Sequence, residues 1–252
     1  MRFLQCVHAE CVLVAPRFTR TRLGLAMLAL GLSLVWLGGA RSFDPFTITL
    51  LAGSLASIVA AAGVAGGEHE RRALTTALSH PTTPLAVAAG RWVAVVTTAG
   101  LLAIICTAAV AWNPAHALAG TIAAAAVGAC ALAMVTALGN GAAAGLFLFM
   151  AVAGAVSPEA LVALAHPGFA RIAAASVIEL GPALWHYRDI ASGDWGAVAH
   201  AVAWTGLGVL LASAFVAYGF SKVKFRGRGV LFAMVLSTMM IPFPVIMVSQ
   251  FL

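Results

Sequence analysis

Six stretches of this chain run for close to the length of a bilayer crossing with almost no charge inside them. A helix needs about 20 apolar residues to traverse hydrocarbon. Runs of that kind fall at about 23–40, 46–66, 90–111, 117–138, 142–157 and 197–219, with a further one at about 229–252. They are continuous rather than alternating, so they read as helices and not as the strands of a membrane barrel. Only 9% of the 252 residues are charged and 62% are hydrophobic. Soluble domains carry about 25% charged residues, so a water-soluble fold of this size lacks the polar residues to cover its surface. The sequence therefore predicts an all-α, polytopic integral membrane bundle of six core transmembrane helices. It predicts a further hydrophobic helix at the C-terminal end.

Basic residues set the expected orientation, because cytoplasmic loops carry an excess of Lys and Arg. With the N-terminus in the cytoplasm, that side receives Arg2, Arg17, Arg20, Arg22, Arg71, Arg72, Arg91, Lys222, Lys224, Arg226 and Arg228. The other side receives Arg41, Arg171 and Arg188. A split of eleven to three favours the N-terminus inside and a multi-pass protein of the cytoplasmic (inner) membrane. The formal net charge of +6 thus reflects topology, and no nucleic-acid partner is expected.

Four cysteines (Cys6, Cys11, Cys106 and Cys130) do not suggest a disulfide framework, since Cys106 and Cys130 lie inside apolar runs, where a thiol acts as a small hydrophobe. The first 22 residues hold Arg2, Glu10, Arg17 and Arg20 and no clean apolar core of a cleavable signal. Instead Phe3, Leu4, Val7, Cys11, Val14 and Phe18 recur at three- and four-residue steps, and Pro16 breaks the run. This fits a helix lying on the inner leaflet. The long outer segment at about 158–196 should hold one or two short helices, one of them over 169–180 ahead of Gly181-Pro182.

Between the second and third apolar runs stands a polar island, residues 67–91 (GEHERRALTTALSHPTTPLAVAAGR). Ala73, Leu74, Ala77 and Leu78 form a narrow apolar stripe at helical spacing. Glu68 and Arg72 are four apart, a favourable helical pair. Pro81 ends this helix, because the residue before proline avoids the α region. A second helical segment from about Leu85 feeds the next span, with Gly90-Arg91 at the membrane boundary. By the charge count the island is cytoplasmic. An ordinary loop whose charges only fix topology would share much of this pattern. A membrane protein gripped and moved by a soluble partner would need it.

The island and its setting resemble the ABC-2 type transporter permeases over about residues 1–215. In that family the second and third spans are joined by an acidic cluster, a short helix with paired leucines, a proline and a glycine–basic pair. Here those are Glu68 and Glu70, Leu74 and Leu78, Pro81, then Gly90 and Arg91, with arginine where the family usually has lysine. The resemblance implies a permease half that pairs with a second permease copy or homologue. It also implies a separate ABC ATP-binding subunit docked on the cytoplasmic side. Coupling to that subunit would fall to Glu68, Glu70, Arg71, Arg72, Leu74, Leu78, Pro81 and Arg91. A P-loop needs Gly-Lys followed by Ser or Thr, and the chain has no Gly-Lys pair. ATP and magnesium are therefore expected in the partner, with no cofactor and no catalytic site in this chain.

Other constellations are weaker. Cys6, His8 and Cys11 form C-x-H-x-x-C, which is not a standard zinc spacing. His116, His166, His186 and His200 fall near outer span boundaries as interfacial imidazoles. No acid lies in the confident spans, which argues against a proton relay. Gly141 and Gly145 form a small-xxx-small match, a candidate close helix contact. Trp36, Trp92, Trp112 and Trp195 are read as interfacial anchors at span ends.

Residues 220–252 break the composition. They hold both lysines, four of the eight methionines and a single alanine. The stretch 210–252 resembles maltose-type sugar importer permeases, through Ala217-Tyr218, Phe225-Arg226-Gly227-Arg228 and Met239-Met240-Ile241-Pro242. The coupling loop of that family, expected further downstream, is absent. Residues 1–219 then form the permease-like domain. Residues 220–252 are a basic turn and an added hydrophobic helix, read as a fusion or as a seventh span. The function expected is the membrane subunit of an ATP-driven exporter. The alternatives are a fragment of a sugar importer and a membrane anchor without transport activity.

Overall fold

The computed structural model describes residues 22–40, 44–65, 83–155 and 186–222, with Leu184 and positions 4, 5, 7–9 and 12. Six α-helices account for most of these: α1 (Arg22–Gly39), α2 (Pro45–Ala65), α3 (Pro84–Val110), α4 (Pro114–Leu138), α5 (Asn140–Ala155) and α6 (Trp195–Lys222). A short 3-10 helix, His186–Ser192, precedes α6. Among the described residues there is no strand. Leu4, Gln5, Val7, His8, Ala9 and Val12 are helical, in line with the helix expected ahead of the first span. Residues 66–82, 156–183 and 223–252 lie outside the description, and with them the expected helices at 169–180 and 229–252.

Four helices, α2, α3, α4 and α6, are long and apolar enough to cross a membrane, and α1 and α5 contain shorter apolar helices. Their bounds follow local chemistry. Thr83 caps α3, its side chain accepting from the Ala86 N–H, and Pro84 takes the first turn, where its missing N–H costs nothing. Asn113 and Pro114 do the same for α4, with the Asn113 side chain accepting from the Ala115 N–H. Because Thr83-Pro84 starts the helix, α3 begins at residue 84 and absorbs the segment expected to feed the third span. The reversal from α4 to α5 takes a single residue, Gly139, whose φ of 83° lies in the region that glycine alone enters freely.

α4 is the central helix and packs against α2, α3, α5, α6 and the 3-10 helix. Close packing there depends on missing side chains. A Cβ on Gly53 of α2 would sit 2.2 Å from the Gly120 carbonyl oxygen of α4, and one on Gly208 of α6 would sit 2.6 Å from the Ala129 carbonyl carbon. Gly53 meets Gly120 and Ser57 meets Gly128, so α2 and α4 run parallel. Thr49 of α2 shares a 3.0 Å hydroxyl–hydroxyl hydrogen bond with Thr107 of α3, near the start of one helix and the end of the other. α3 therefore runs antiparallel to both. It follows that Ala65 and Thr83, which flank residues 66–82, lie at one end of the bundle together with Gly139.

Hydroxyls inside the bundle do not disturb it. Ser54 donates to the Leu50 carbonyl at 2.8 Å, Ser57 to Ser54 at 2.7 Å and Thr107 to Ala103 at 2.7 Å. Each thus satisfies itself on its own helix.

Candidate functional site

Of the eight residues expected to couple to an ATPase, seven (Glu68, Glu70, Arg71, Arg72, Leu74, Leu78 and Pro81) lie outside the described residues. The eighth, Arg91, is described and turns into the bundle. It stands in the second turn of α3 and is 4% exposed, with Gly90 also buried. A guanidinium in such a place needs compensating interactions, and Arg91 has interactions of its own. It belongs to the bundle as much as to the boundary. Seven residues past Pro84, it stands about 10 Å along the helix axis.

Trp92 departs from its expected place. The sequence placed it as an interfacial anchor. Instead its indole N–H donates to the Ala125 carbonyl of α4 at 3.0 Å, and its ring packs against the core. Trp36, Trp112 and Trp195 are exposed. Gly141 and Gly145 have nothing within 4 Å of where a Cβ would stand, so they make no close contact among the described residues. The tight contacts fall at Gly53, Gly120, Gly128 and Gly208 instead.

The opposite end of the bundle holds a polar cluster that sequence reading did not single out. Phe46 of α2 and His116 of α4 pair with ring centroids 4.4 Å apart, where the two helices start together. The 3-10 helix lies against α4 and α6. From it Tyr187 is driven inward to 0% exposure, and Leu184 and Ile190 are buried beside it. The Tyr187 ring faces His200 of α6 at 6.3 Å. His200 accepts from the Trp204 indole N–H through Nε2 at 3.1 Å, which fixes a neutral tautomer with the proton on Nδ1. The next residue, Arg188, donates from Nη2 to the Thr47 hydroxyl of α2. Burial pushes the Tyr187 phenol well above the usual tyrosine range, and the Cys130 thiol adds to the effect.

Two signals in the sequence pointed toward this end: Arg188, counted among the three basic residues of the outer side, and the histidines placed near outer boundaries. Neither reveals a partner, because Thr47 and Arg188 are 141 residues apart. His186 opens the 3-10 helix, and His166 lies outside the described residues. Among the described residues, no group of three His, Cys, Asp or Glu side chains is placed to hold a metal ion.

No protein-family model matches this chain, and no curated protein matches it.

Proposed function

We propose that this chain is the membrane-spanning permease subunit of an ATP-driven exporter of the ABC-2 type. α1 to α6 are its six spans, in the cytoplasmic membrane, with the N-terminus in the cytoplasm. A separate ATP-binding subunit docks on the charged island at residues 67–91, and a second permease half completes the path. One observation carries the reading. The two flanks of the island, Ala65 at the end of α2 and Thr83 at the start of α3, lie at the same end of the bundle. The island's four charges in five positions, Glu68, Glu70, Arg71 and Arg72, therefore emerge between two directly connected helices. A push on that connection is transmitted to α2 and α3 at once, and through Gly53 and Gly120 to α4. Arg91, buried near the base of α3, stands within this lever.

The test is recovery of the chain from its native membrane in a mild detergent. An ATP-binding protein should co-purify with it in near-equal amount, and the double charge reversal Glu70→Lys with Arg72→Glu should abolish that association. Recovery of the chain without any ATP-binding protein would sink the reading. The exporter is favoured over the sugar importer because the six described helices form one bundle by themselves, whereas the importer resemblance rests on 210–252 alone.

A further inference from the structure

We propose that the 3-10 helix His186–Ser192 is a detachable strap, seated on the bundle by Tyr187 and latched to α2 by Arg188, with the buried phenol keeping its seated and released states close in free energy. The proposal does not depend on the identity of any ATPase or cargo.

Three features mark the segment as a separate moving part. Among the described residues, its hydrogen-bonded hold on α2 is one side-chain bond, from the exposed Arg188 to the Thr47 hydroxyl. Its junction with α6 is Gly193, at φ 86°, a conformation glycine enters without strain and can leave as readily. The start of α6 is capped by the Asp194 carboxylate, which accepts from the Gly196 N–H at 2.8 Å, while the Asp194 N–H donates back to the Asp189 carbonyl of the strap at 3.0 Å. Release of the strap through Gly193 gives up that backbone bond and leaves the carboxylate cap in place.

What seats it is apolar burial of Leu184, Tyr187 and Ile190 against α4 and α6. What opposes seating is the tyrosine hydroxyl. It is buried and has no hydrogen-bond partner among the described residues. A phenol usually finds a partner when buried, and a buried hydroxyl left without one carries the full loss of its hydration. In the released state the same hydroxyl meets water. The penalty thus falls on the seated state alone, against the gain from the ring. A tyrosine kept only for packing would do better as phenylalanine. Seated, the strap covers the seam between α4 and α6 at the end of the bundle where α2 and α4 begin. Released, it exposes that seam.

The test uses the full chain in lipid nanodiscs, where both faces meet solvent. Cys6, Cys11, Cys106 and Cys130 are replaced by alanine, and Ile190→Cys serves as a reporter buried only when the strap is seated. Reaction with a bulky, water-soluble maleimide is timed against Ser192→Cys, an exposed reference on the same segment. Seating makes the Ile190→Cys reporter slower than the reference. Arg188→Gln should speed it by about tenfold and Thr47→Val by about fivefold, as loss of a charge-assisted and a simple hydrogen bond imply. Tyr187→Phe should slow it by about fivefold, because removing an unpartnered hydroxyl favours the seated state. Labelling of the parent as fast as the reference would overturn the proposal. So would a Tyr187→Phe reporter that reacts as fast as the parent or faster, or latch variants with unchanged rates.

Discussion

Two of the long helices make opposite uses of the same composition. In α2, 78% of the most apolar window lies inside the bundle; in α6 the share is 17%. Both are apolar along their whole length, so hydropathy does not separate them. Residue size does. α2 and α4 meet where Thr49, Gly53 and Ser57 stand against Gly120 and Gly128, and both helices bury alanines completely, among them Ala52, Ala56 and Ala60 of α2 and Ala119, Ala123 and Ala124 of α4. α6 turns Val202, Leu207, Leu210, Leu211 and Phe215 outward. In hydrocarbon there is no apolar driving force between helices, so close backbone approach decides which faces meet. α2 and α4 form a packed seam, and most of the surface of α6 is uncovered among the described residues.

The sharpest way to break this contrast is to place a large side chain in the seam. Gly53→Leu should cost about 3 kcal/mol or more, since its Cβ alone would meet the Gly120 carbonyl and neither backbone can yield. Loss of monodisperse protein on gel filtration, or a large fall in Tm, checks it. Next comes pH. Burial holds the Tyr187 phenol above its unfolded value of about 10, so the unfolded chain loses this proton first. The contribution is complete below pH about 10 and fades as pH rises above it. Thermal scans from pH 8 to 11 should show a decline that Tyr187→Phe removes.

A smaller effect is expected at Trp92. Trp92→Phe removes the hydrogen bond to Ala125 and should cost about 1 kcal/mol, measurable by unfolding in mixed micelles. Smaller again is the coupling of Thr49 with Thr107. A double-mutant cycle with both changed to valine should give about 0.6 kcal/mol, the usual size of such a bond between membrane helices. Smallest is Gly206→Leu on the open face of α6, where nothing stands within 4 Å. Its effect should stay within about 0.5 kcal/mol. A large loss there would erase the distinction between seam and surface.

The same contrast explains what was legible in the sequence. Apolar runs placed all six helices, and the bounds at 45–65, 114–138 and 140–155 lie within a few residues of those expected. α3 starts at Pro84, within a residue of the helical segment expected from about Leu85, and Thr83-Pro84 marks that beginning. Faces were not legible. A helix apolar all round carries no stripe to say which side is covered. Trp92 therefore looked like an anchor, and Gly141 with Gly145 looked like a contact. Partners distant in the chain were also hidden, and so the meeting of Arg188 with Thr47, and of Tyr187 with His200, emerged only from the fold. The island at 67–91 rests on its sequence and on its flanks, with Arg91 the one coupling residue whose place is described.

The central claim is that force enters this bundle from a separate ATPase through that island. The most direct measurement is ATP turnover by the co-purified ATP-binding protein, alone and with this chain in nanodiscs. The account predicts that the wild-type chain changes the turnover several-fold and that the Glu70→Lys, Arg72→Glu variant, folded and inserted, does not. Equal turnover with the wild-type chain, with the variant and with neither would contradict it.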